Sequence, residues 1–227
     1  RANNGTAFVM WDYDYLQNMS KGIPQIIKYG TDASTDISGN LIQSEPFLSV
    51  GFSKGAAIDE LGTQLVGNYN LPNILAAVAV GKHFSVSDEK IKQSIEAYTP
   101  SNSRSQLIKQ NGNNIILDAY NANPTSMRAA IENFASLQAK NKVLMLGGMA
   151  ELGVESLDEH RAIIDLIKKY NSQEVVLVGG GFLKIDHPFT KMNTSAEAGE
   201  WYRRKQFHDA YLLIKGSRSM QMEKVLS

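Results

Sequence analysis

Residues 113–134, which read NNIILDAYNANPTSMRAAIENF, decide the fold because they join a strand, a polar turn and a helix. The apolar run before Asp118 is typical of a buried strand, and Asn123-Pro124 suits the first positions of a helix. Open α/β sheets bind ligands beyond the carboxyl ends of their strands, which is where Asp118 would lie. The stretch therefore predicts a strand–turn–helix unit whose turn faces a ligand.

The chain around this stretch continues the same alternation. Three later runs are short and nearly continuously apolar, as expected of strands covered on both faces: KVLMLG (142–147), EVVLVGGG (174–181) and AYLLIKG (210–216). Asn111-Gly112 predicts a tight hairpin. Ser156-x-x-Glu159 predicts a capping box that opens a helix ending near Tyr170, and weaker helical patterns follow Ser195 and Ser219. The predicted fold class is α/β, with a Rossmann-like, doubly wound, mostly parallel sheet.

Residues 1–69 have a different sequence pattern, in which short alternating or β-branched runs are separated by glycine-containing turns. Strands are expected in five of them: TAFVM (6–10), PQIIKYG (24–30), ASTDIS (33–38), EPFLSVGF (45–52) and TQLVGN (63–68). Helices are predicted over LPNILAAVAVGKHF (71–84) and after Ser87, which can cap. Pro100–Ser103 interrupts the pattern. We therefore expect one domain in residues 1–101, β-rich at first and then helical, and a second domain in residues 102–227.

The composition excludes several classes of protein. Lysine plus arginine and aspartate plus glutamate number 23 each, which favours neither a polyanion nor an anionic membrane as partner. No apolar run approaches the roughly 18 residues of a transmembrane helix. The absence of cysteine excludes disulfides and thiol chemistry and fits a reducing cytoplasm. The four histidines are scattered without metal-ligand spacing, so we expect no metal site in this sequence.

Three polar residues outside the opening stretch are compatible with a nucleotide. Asn70 and Asn73 lie three positions apart at a helix start, and an amide can both donate to and accept from a purine edge. They could equally be an N-cap and a solvated side chain. Arg104 could bind a phosphate bidentately or be a surface arginine. The local chemistry leaves both alternatives open.

The turns after the predicted strands add further candidates. In the opening stretch, Asp118 could accept two ribose hydroxyls and Tyr120 offers a flat face for stacking. LGGMAELG (146–153) brings Glu151 to the same edge of the sheet. KGSRSM (215–220) supplies two cations and two hydroxyls, which suit a carboxylate or a phosphate. Either of these last two turns could be ordinary turn chemistry.

VGGGF (178–182) has the appearance of a dinucleotide-binding loop. Lys184 stands where the third glycine of that fingerprint is needed, so we expect no NAD at this turn.

Taken together, four motifs resemble those of the Mur ligase family in order and spacing: GNYNLPNILAA (67–77), DAYNANPTSM (118–127), LGGMAELG (146–153) and KGSRSMQME (215–223). The resemblance covers most of the chain and is weakest over residues 1–60 and 180–208. Within the family, the last three motifs are most similar to those of the enzymes that add D-alanyl-D-alanine.

This resemblance implies an ATP-dependent amide-bond ligase of peptidoglycan synthesis, with a part in cell wall biogenesis, cell shape and cell division. The expected substrates are UDP-N-acetylmuramoyl-tripeptide and D-alanyl-D-alanine, joined through an acyl phosphate formed with ATP and Mg2+. Residues 1–101 would be the later part of a central ATP-binding domain, and residues 102–227 a C-terminal Rossmann-like domain. The expected protein is cytoplasmic and monomeric, and it binds no nucleic acid.

The resemblance also implies roles for individual residues. ATP contacts are expected from Asn70, Asn73, Arg104, Asp118, Tyr120 and Asn121. Catalytic roles at the reacting groups are expected for Arg104 and Lys215. The substrate side would include Asn123, Glu151, Ser217 and Arg218.

The sequence departs from the family pattern in its phosphate and metal groups. It has no Gly-Lys-Thr/Ser phosphate loop, and no positions match the magnesium-binding glutamate and histidine or the carbamylated lysine of the family. We therefore expect a fragment that is inactive alone, the Mg2+ ligands lying upstream of it. Two alternatives stay open: another Mur ligase or a folylpolyglutamate synthetase-like ligase, and a non-catalytic nucleotide- or peptide-binding module.

Overall fold

The computed structural model describes residues 4–170, 172 and 174–227, so the first three residues of the predicted first domain lie outside the described residues. The chain divides into two compact units, Arg1–Thr99 and Pro100–Ser227. The division falls at Pro100, where the sequence pattern breaks. Each unit is built around its own sheet and is described by itself.

The described part of the first unit contains a five-stranded sheet whose strands follow chain order: β1 (Ala7–Met10), β2 (Ile26–Gly30), β3 (Ile37–Gln43), β4 (Ser49–Lys54) and β5 (Leu61–Gly62). β1, β2 and β3 pair in parallel, whereas β3, β4 and β5 pair antiparallel. The helices are α1 (Asp14–Ser20), α2 (Leu71–His83) and α3 (Asp88–Glu96). A buried cluster that includes Val50, Leu61 and Leu75 packs α2 against the sheet.

Two strand predictions for this unit are wrong. Residues 33–36 form a turn, in which the Asp32 side chain accepts from the Ser34 N–H at 2.7 Å, and β3 begins only at Ile37. Residues 63–68 are not a strand, because Thr63 donates both its N–H and its hydroxyl to the Leu48 carbonyl and turns the chain. Asn70 occupies the N-cap position of α2, but its side chain does not cap the helix. Its amide instead donates to the Val66 carbonyl at 2.8 Å. The short helix α1 has no counterpart in the sequence prediction.

The second unit confirms the predicted fold class. Its described residues form a six-stranded sheet: β6 (Gln106–Gln110), β7 (Asn113–Asp118), β8 (Asn141–Gly147), β9 (Glu174–Val178), β10 (Thr190–Met192) and β11 (Ala210–Lys215). The helices are α4 (Pro124–Ser136), α5 (Ser156–Ile167) and α6 (Ser195–Lys205). Short 3-10 helices cover Gly153–Glu155, Gly180–Lys184, Arg218–Met220 and Met222–Leu226.

The order of strands in this sheet is β10-β9-β8-β11-β7-β6, and every neighbouring pair is parallel except the β6–β7 hairpin. β11 comes last in the chain but lies between β7 and β8. Its last residue, Lys215, pairs in register with Asp118 on one side and with Leu146 on the other. The carboxyl ends of β7, β8, β9 and β11 therefore lie at the same end of the sheet. We call this end, which runs across the strands, the carboxyl edge.

The residues explain the main elements of this unit. Asn111 and Gly112 have φ values of 50° and 77°, the left-handed pair that a two-residue type I′ hairpin requires. Asn123 opens α4 with a reciprocal cap: its side chain accepts from the Ser126 N–H at 2.8 Å, and Ser126 Oγ accepts from the Asn123 N–H at 3.1 Å. The buried face of the sheet includes Ile115, Met145, Val176 and Leu212.

The capping box expected at Ser156 does not form. The chain enters α5 through the preceding 3-10 turn, so Glu155 takes the N-cap position with φ −80° and ψ −3°, and no side chain caps the helix. Ser156 therefore lies inside the first turn. The expected C-terminal helix is two short 3-10 helices, and β10 has no counterpart in the sequence prediction.

Candidate functional site

An ion pair between Asp118 and Lys215 lies at the carboxyl edge. Lys215 Nζ is 2.5 Å from Asp118 Oδ2 and donates to the Asn121 carbonyl at 3.3 Å. The Lys215 side chain is 2% exposed and that of Asp118 is 15% exposed. Lys215 was expected to act on reacting groups, but its ammonium contacts the turn that follows β7. We call Ser105, Asp118, Asn121 and Lys215 the charged cluster.

The loop before β6 closes over Asp118. The Ser105 N–H donates to Asp118 Oδ1 at 3.2 Å, and the Ser103 carbonyl accepts from the next two N–H groups after Asp118. Asn102, Ser103 and Ser105 have φ values of 55°, 57° and 47°. This left-handed conformation costs an L residue roughly 1–2 kcal/mol. The hydrogen bonds to the end of β7 hold the loop in it.

Arg104 and Tyr120 form a stack at the surface of the same loops. The guanidinium carbon of Arg104 lies 3.5 Å from the centroid of the Tyr120 ring, and Tyr120 is 41% exposed. A stacked guanidinium uses its flat face and keeps its N–H donors in the plane, where an anion can reach them. The two predicted residues are therefore brought together, but Arg104 covers one face of the ring that was expected to stack.

The Asp118 carboxylate has acceptor capacity beyond its two bonds within the chain. An ionised carboxylate offers about four lone-pair positions. Ser105 and Lys215 use one position on each oxygen. Because the side chain is partly exposed, its remaining positions can accept hydrogen bonds from a hydroxyl donor outside the chain.

A glycine-rich part of the carboxyl edge adjoins the charged cluster. A Cβ atom on Gly148 would lie 2.8 Å from the Cα atom of Gly180, so only glycine lets these two backbones approach so closely. Ser217 is 1% exposed and donates its hydroxyl to the Gly148 carbonyl at 2.8 Å. Ser217, predicted on the substrate side, thus ties two loops together. We call Gly147, Gly148, Gly179, Gly180 and Gly181 the glycine cluster.

His160 lies buried beside the glycine cluster, and the sequence reasoning did not select it. Its Nε2 accepts from the Met149 N–H at 3.0 Å, which leaves Nδ1–H to donate to the Ser156 carbonyl at 2.6 Å. Its ring packs edge-on against Phe182. Burial lowers the pKa of His160 below its ordinary value, although the Ser156 bond and the nearby Glu159 act in the opposite direction. The only sequence signal for this role is its position on the apolar face of α5.

The remaining predicted residues of the second unit take separate positions. Glu151 is exposed in the loop after β8, with a φ of 63°. The Arg218 side chain, 62% exposed, pairs with Glu223 at 3.0 Å. Asn123 is engaged as the cap of α4.

In the first unit, Asn70 and Asn73 lie together at the start of α2, as their spacing predicted. Asn73 Nδ2 donates to Asn70 Oδ1 at 3.0 Å. Asn70 is buried, whereas Asn73 is exposed. Their amides are therefore coupled, and Asn73 is the one that a ligand can reach.

Across residues 4–170, 172 and 174–227, no group of three histidine, aspartate or glutamate side chains is arranged to hold a metal ion. In this same part of the chain, every helix is too short or too polar to cross a bilayer.

The sheet of the second unit, with a charge pair and a glycine-rich turn at its carboxyl edge, defines an α/β domain of the Rossmann-like class. Residues 103–218 match the family model described as Mur ligase, glutamate ligase domain, and the chain belongs to the Mur ligase family.

Individual proteins show how far the likeness extends. The UDP-N-acetylmuramoyl-tripeptide–D-alanyl-D-alanine ligase of Bacillus subtilis (strain 168) is 30% identical over 239 residues, covering 98% of this chain and 50% of that protein. A crystal structure of MurF from Acinetobacter baumannii has a TM-score of 0.79 at 26% identity, covering 98% of this chain and 51% of that one. MurF ligase from Thermotoga maritima in complex with ADP shares the fold, with a TM-score of 0.77 at 18% identity, covering 98% and 52%. The chain thus spans about half the length of these proteins.

Proposed function

We propose that the chain is part of an ATP-dependent ligase that joins D-alanyl-D-alanine to UDP-N-acetylmuramoyl-tripeptide in peptidoglycan precursor synthesis. One observation carries the proposal: Arg104, Asp118 and Tyr120 meet at the carboxyl edge together with Lys215 from a distant motif. The relatives named for this reaction support the choice within the family.

In the second unit, the proposed ATP contacts are Arg104, Asp118, Tyr120 and Asn121. Asp118 accepts ribose hydroxyls on the lone pairs that its partners in the chain leave. Arg104 binds a phosphate through its N–H donors while its face stays on Tyr120. ATP supplies the phosphoryl group that activates the carboxylate of the tripeptide, and the ADP complex of the Thermotoga relative is consistent with a nucleotide in this role.

In the first unit, Asn73 is the stronger candidate for a contact with adenine. It is exposed, and an amide can donate to and accept from a purine edge. Asn70 is buried and bonded to the Val66 carbonyl, so its part is to orient Asn73 through the hydrogen bond between the two amides.

For the incoming dipeptide, Glu151 and Arg218 are the accessible candidates. Both follow strands that end at the carboxyl edge, Glu151 in a loop and Arg218 at the start of a 3-10 helix, and both are exposed. Ser217 is buried and contributes by fixing the loop that carries Arg218. Asn123 contributes by starting α4 at the turn that contains Asp118.

We assign residues 1–101 to the later part of a central ATP-binding domain and residues 102–227 to a C-terminal domain. The sequence contains no phosphate loop. That loop and the Mg2+ ligands would come from the part of the ligase that these 227 residues do not include. Phosphoryl transfer depends on positioning and on neutralising charge around the phosphates, so the chain alone is expected to be inactive.

A phosphate-release assay on the full-length ligase that contains this chain tests the proposal. Release should require ATP, UDP-N-acetylmuramoyl-tripeptide and D-alanyl-D-alanine together, and L-alanyl-L-alanine should serve as the negative control. Turnover of glutamate with a folate would establish the folylpolyglutamate synthetase-like alternative. Nucleotide binding without turnover of any acceptor would establish a non-catalytic module.

A further inference from the structure

The expected catalytic role of Lys215 does not explain why its side chain is buried. A residue that meets a phosphate or an acyl group needs an accessible ammonium, but this side chain is 2% exposed. Burying an ammonium is costly unless close partners compensate it. Here the partners are Asp118 Oδ2 and the Asn121 carbonyl, both in the turn after β7.

The register of the sheet explains why these groups meet. Lys215 and Asp118 are the last residues of adjacent parallel strands and pair directly with each other. Their side chains therefore leave the sheet side by side, and the ammonium reaches the carboxylate without crossing open solvent. The pairing depends on β11 lying between β7 and β8.

The pair also fixes the loop that precedes β6. Lys215 holds one oxygen of Asp118, and the other oxygen accepts the Ser105 N–H. Ser105 follows Arg104, whose guanidinium lies over Tyr120. One buried charge thus sets the orientation of a carboxylate, a carbonyl and the loop that carries an exposed cation.

We propose that Lys215 is a positioning residue of the nucleotide site and does not touch the reacting groups. It orients Asp118 so that the free lone pairs of the carboxylate face the ribose hydroxyls of ATP. The proposal rests on the proposed function, because it takes from it the contact between Asp118 and ribose.

The first experiment needs no nucleotide and uses the chain itself. In a Trp11→Phe background, Trp201 is the only tryptophan, and its fluorescence follows unfolding of the second unit. Lys215→Met and Asp118→Asn should each lower the Tm by at least roughly 5 °C, and the double variant should lower it by much less than the sum. Lys168→Met is the matched control, because Lys168 belongs to an exposed ion pair. Additive losses, or a Lys215→Met loss no larger than that of the control, would overturn the coupling.

The second experiment measures how strongly the full-length ligase prefers ATP over its 2′-deoxy and 3′-deoxy analogues, as the ratio of their KM values. Lys215→Met should raise the KM for ATP by about tenfold, leave the KM for at least one analogue nearly unchanged and change kcat little, because what is lost is a hydrogen bond to a charged acceptor. Lys215→Arg, which keeps the charge, should recover part of the preference for ATP.

The outcomes separate this proposal from the proposed function. A lower kcat with the preference for ATP intact would place Lys215 at the reacting groups and overturn the positioning role. A wild-type ligase that turns over ATP without preference would remove the contact between Asp118 and ribose, and this proposal with it. A protein without ATP-dependent ligation would refute the proposed function, while the Tm measurements would still report on the ion pair.

Discussion

The charged cluster and the glycine cluster lie at the same edge of one sheet, but they are held in opposite ways. In the charged cluster, the side chains of Asp118 and Lys215 form an ion pair. Asp118 also accepts a hydrogen bond from the loop before β6, in which several residues have positive φ values. In the glycine cluster, side chains are absent, and the backbones of Gly148 and Gly180 touch directly. A buried neutral ring, His160, packs against Gly181 of the second cluster and makes its two hydrogen bonds to the neighbouring Met149 N–H and Ser156 carbonyl.

The same end of one sheet therefore combines a rigid, buried foundation with side chains that are exposed to a ligand. An ion pair fixes the direction of a carboxylate, which a ligand can then use. Backbone contact fixes the separation of two loops without filling the space above them. We therefore expect the charged cluster to lose stability when a charge is removed. The glycine cluster should lose stability when a side chain is added to it or when His160 gains a proton.

The largest effect is expected from Asp118→Ala. This change leaves Lys215 buried without its carboxylate, so the unfolding free energy of the second unit should fall by about 3 kcal/mol or more. The measurement is urea unfolding followed by Trp201 fluorescence in the Trp11→Phe background. Asp165→Ala, in an exposed ion pair, should cost less than about 1 kcal/mol. Equal losses in the two variants would show that the charged cluster is not held by its ion pair. The isosteric Asp118→Asn is the better variant for ligand studies.

A smaller effect is expected from Gly148→Ala. The new Cβ would lie 2.8 Å from the Cα atom of Gly180, and backbone atoms cannot move aside cheaply. We expect a loss of about 2 kcal/mol in the same unfolding assay. Gly147→Ala is a comparison variant, because its Cβ would meet the side chains of the buried Met222 and of Met220 instead of backbone. A Gly148→Ala loss below about 0.5 kcal/mol would show that close backbone approach does not hold the glycine cluster.

The smallest effect is a dependence on pH that His160 contributes. Its pKa is lowered in the folded state, so above its ordinary value, near pH 6.5, both states are neutral and its stabilisation is fully present. As the pH falls below that value, the unfolded chain binds the proton first, and the unfolding free energy decreases.

His160→Gln keeps a donor and an acceptor but removes this titration. Between pH 7.5 and pH 5, the wild type should lose more stability than this variant, because only the wild-type unfolded chain gains a proton at this position. His208→Gln, at an exposed position, provides the control and should follow the wild type. Parallel profiles for the wild type and His160→Gln would show that the ring does not couple protonation to the glycine cluster.

The sequence predicted the elements that depend on local patterns. The strands β7, β8, β9 and β11 are confirmed because each is a short apolar run, and the hairpin is confirmed because Asn111-Gly112 meets the backbone requirement of its turn. The Asn123 cap is local in the same sense.

Features that depend on structure outside the local motif were not predictable. The ion pair of Asp118 with Lys215 requires β11 to lie beside β7, which no local pattern encodes. The box at Ser156 matched its motif, but a 3-10 turn before α5 moved the cap position. The strand at 63–68 matched its composition, but the hydrogen bonds of Thr63 turned the chain instead. The roles assigned to individual site residues stay predictions.

Because Lys215 is buried, the chemical reactivity of its amine reports how often this part of the structure opens. An amine-reactive reagent meets surface lysines such as Lys168 at once, but it reaches Lys215 only when the ends of β7 and β11 separate. If that opening is local, modification of Lys215 will proceed faster than global unfolding allows. Peptide mass spectrometry of the labelling rate would then measure the opening free energy of this one edge, and slower labelling with nucleotide present would show that the ligand holds the edge closed.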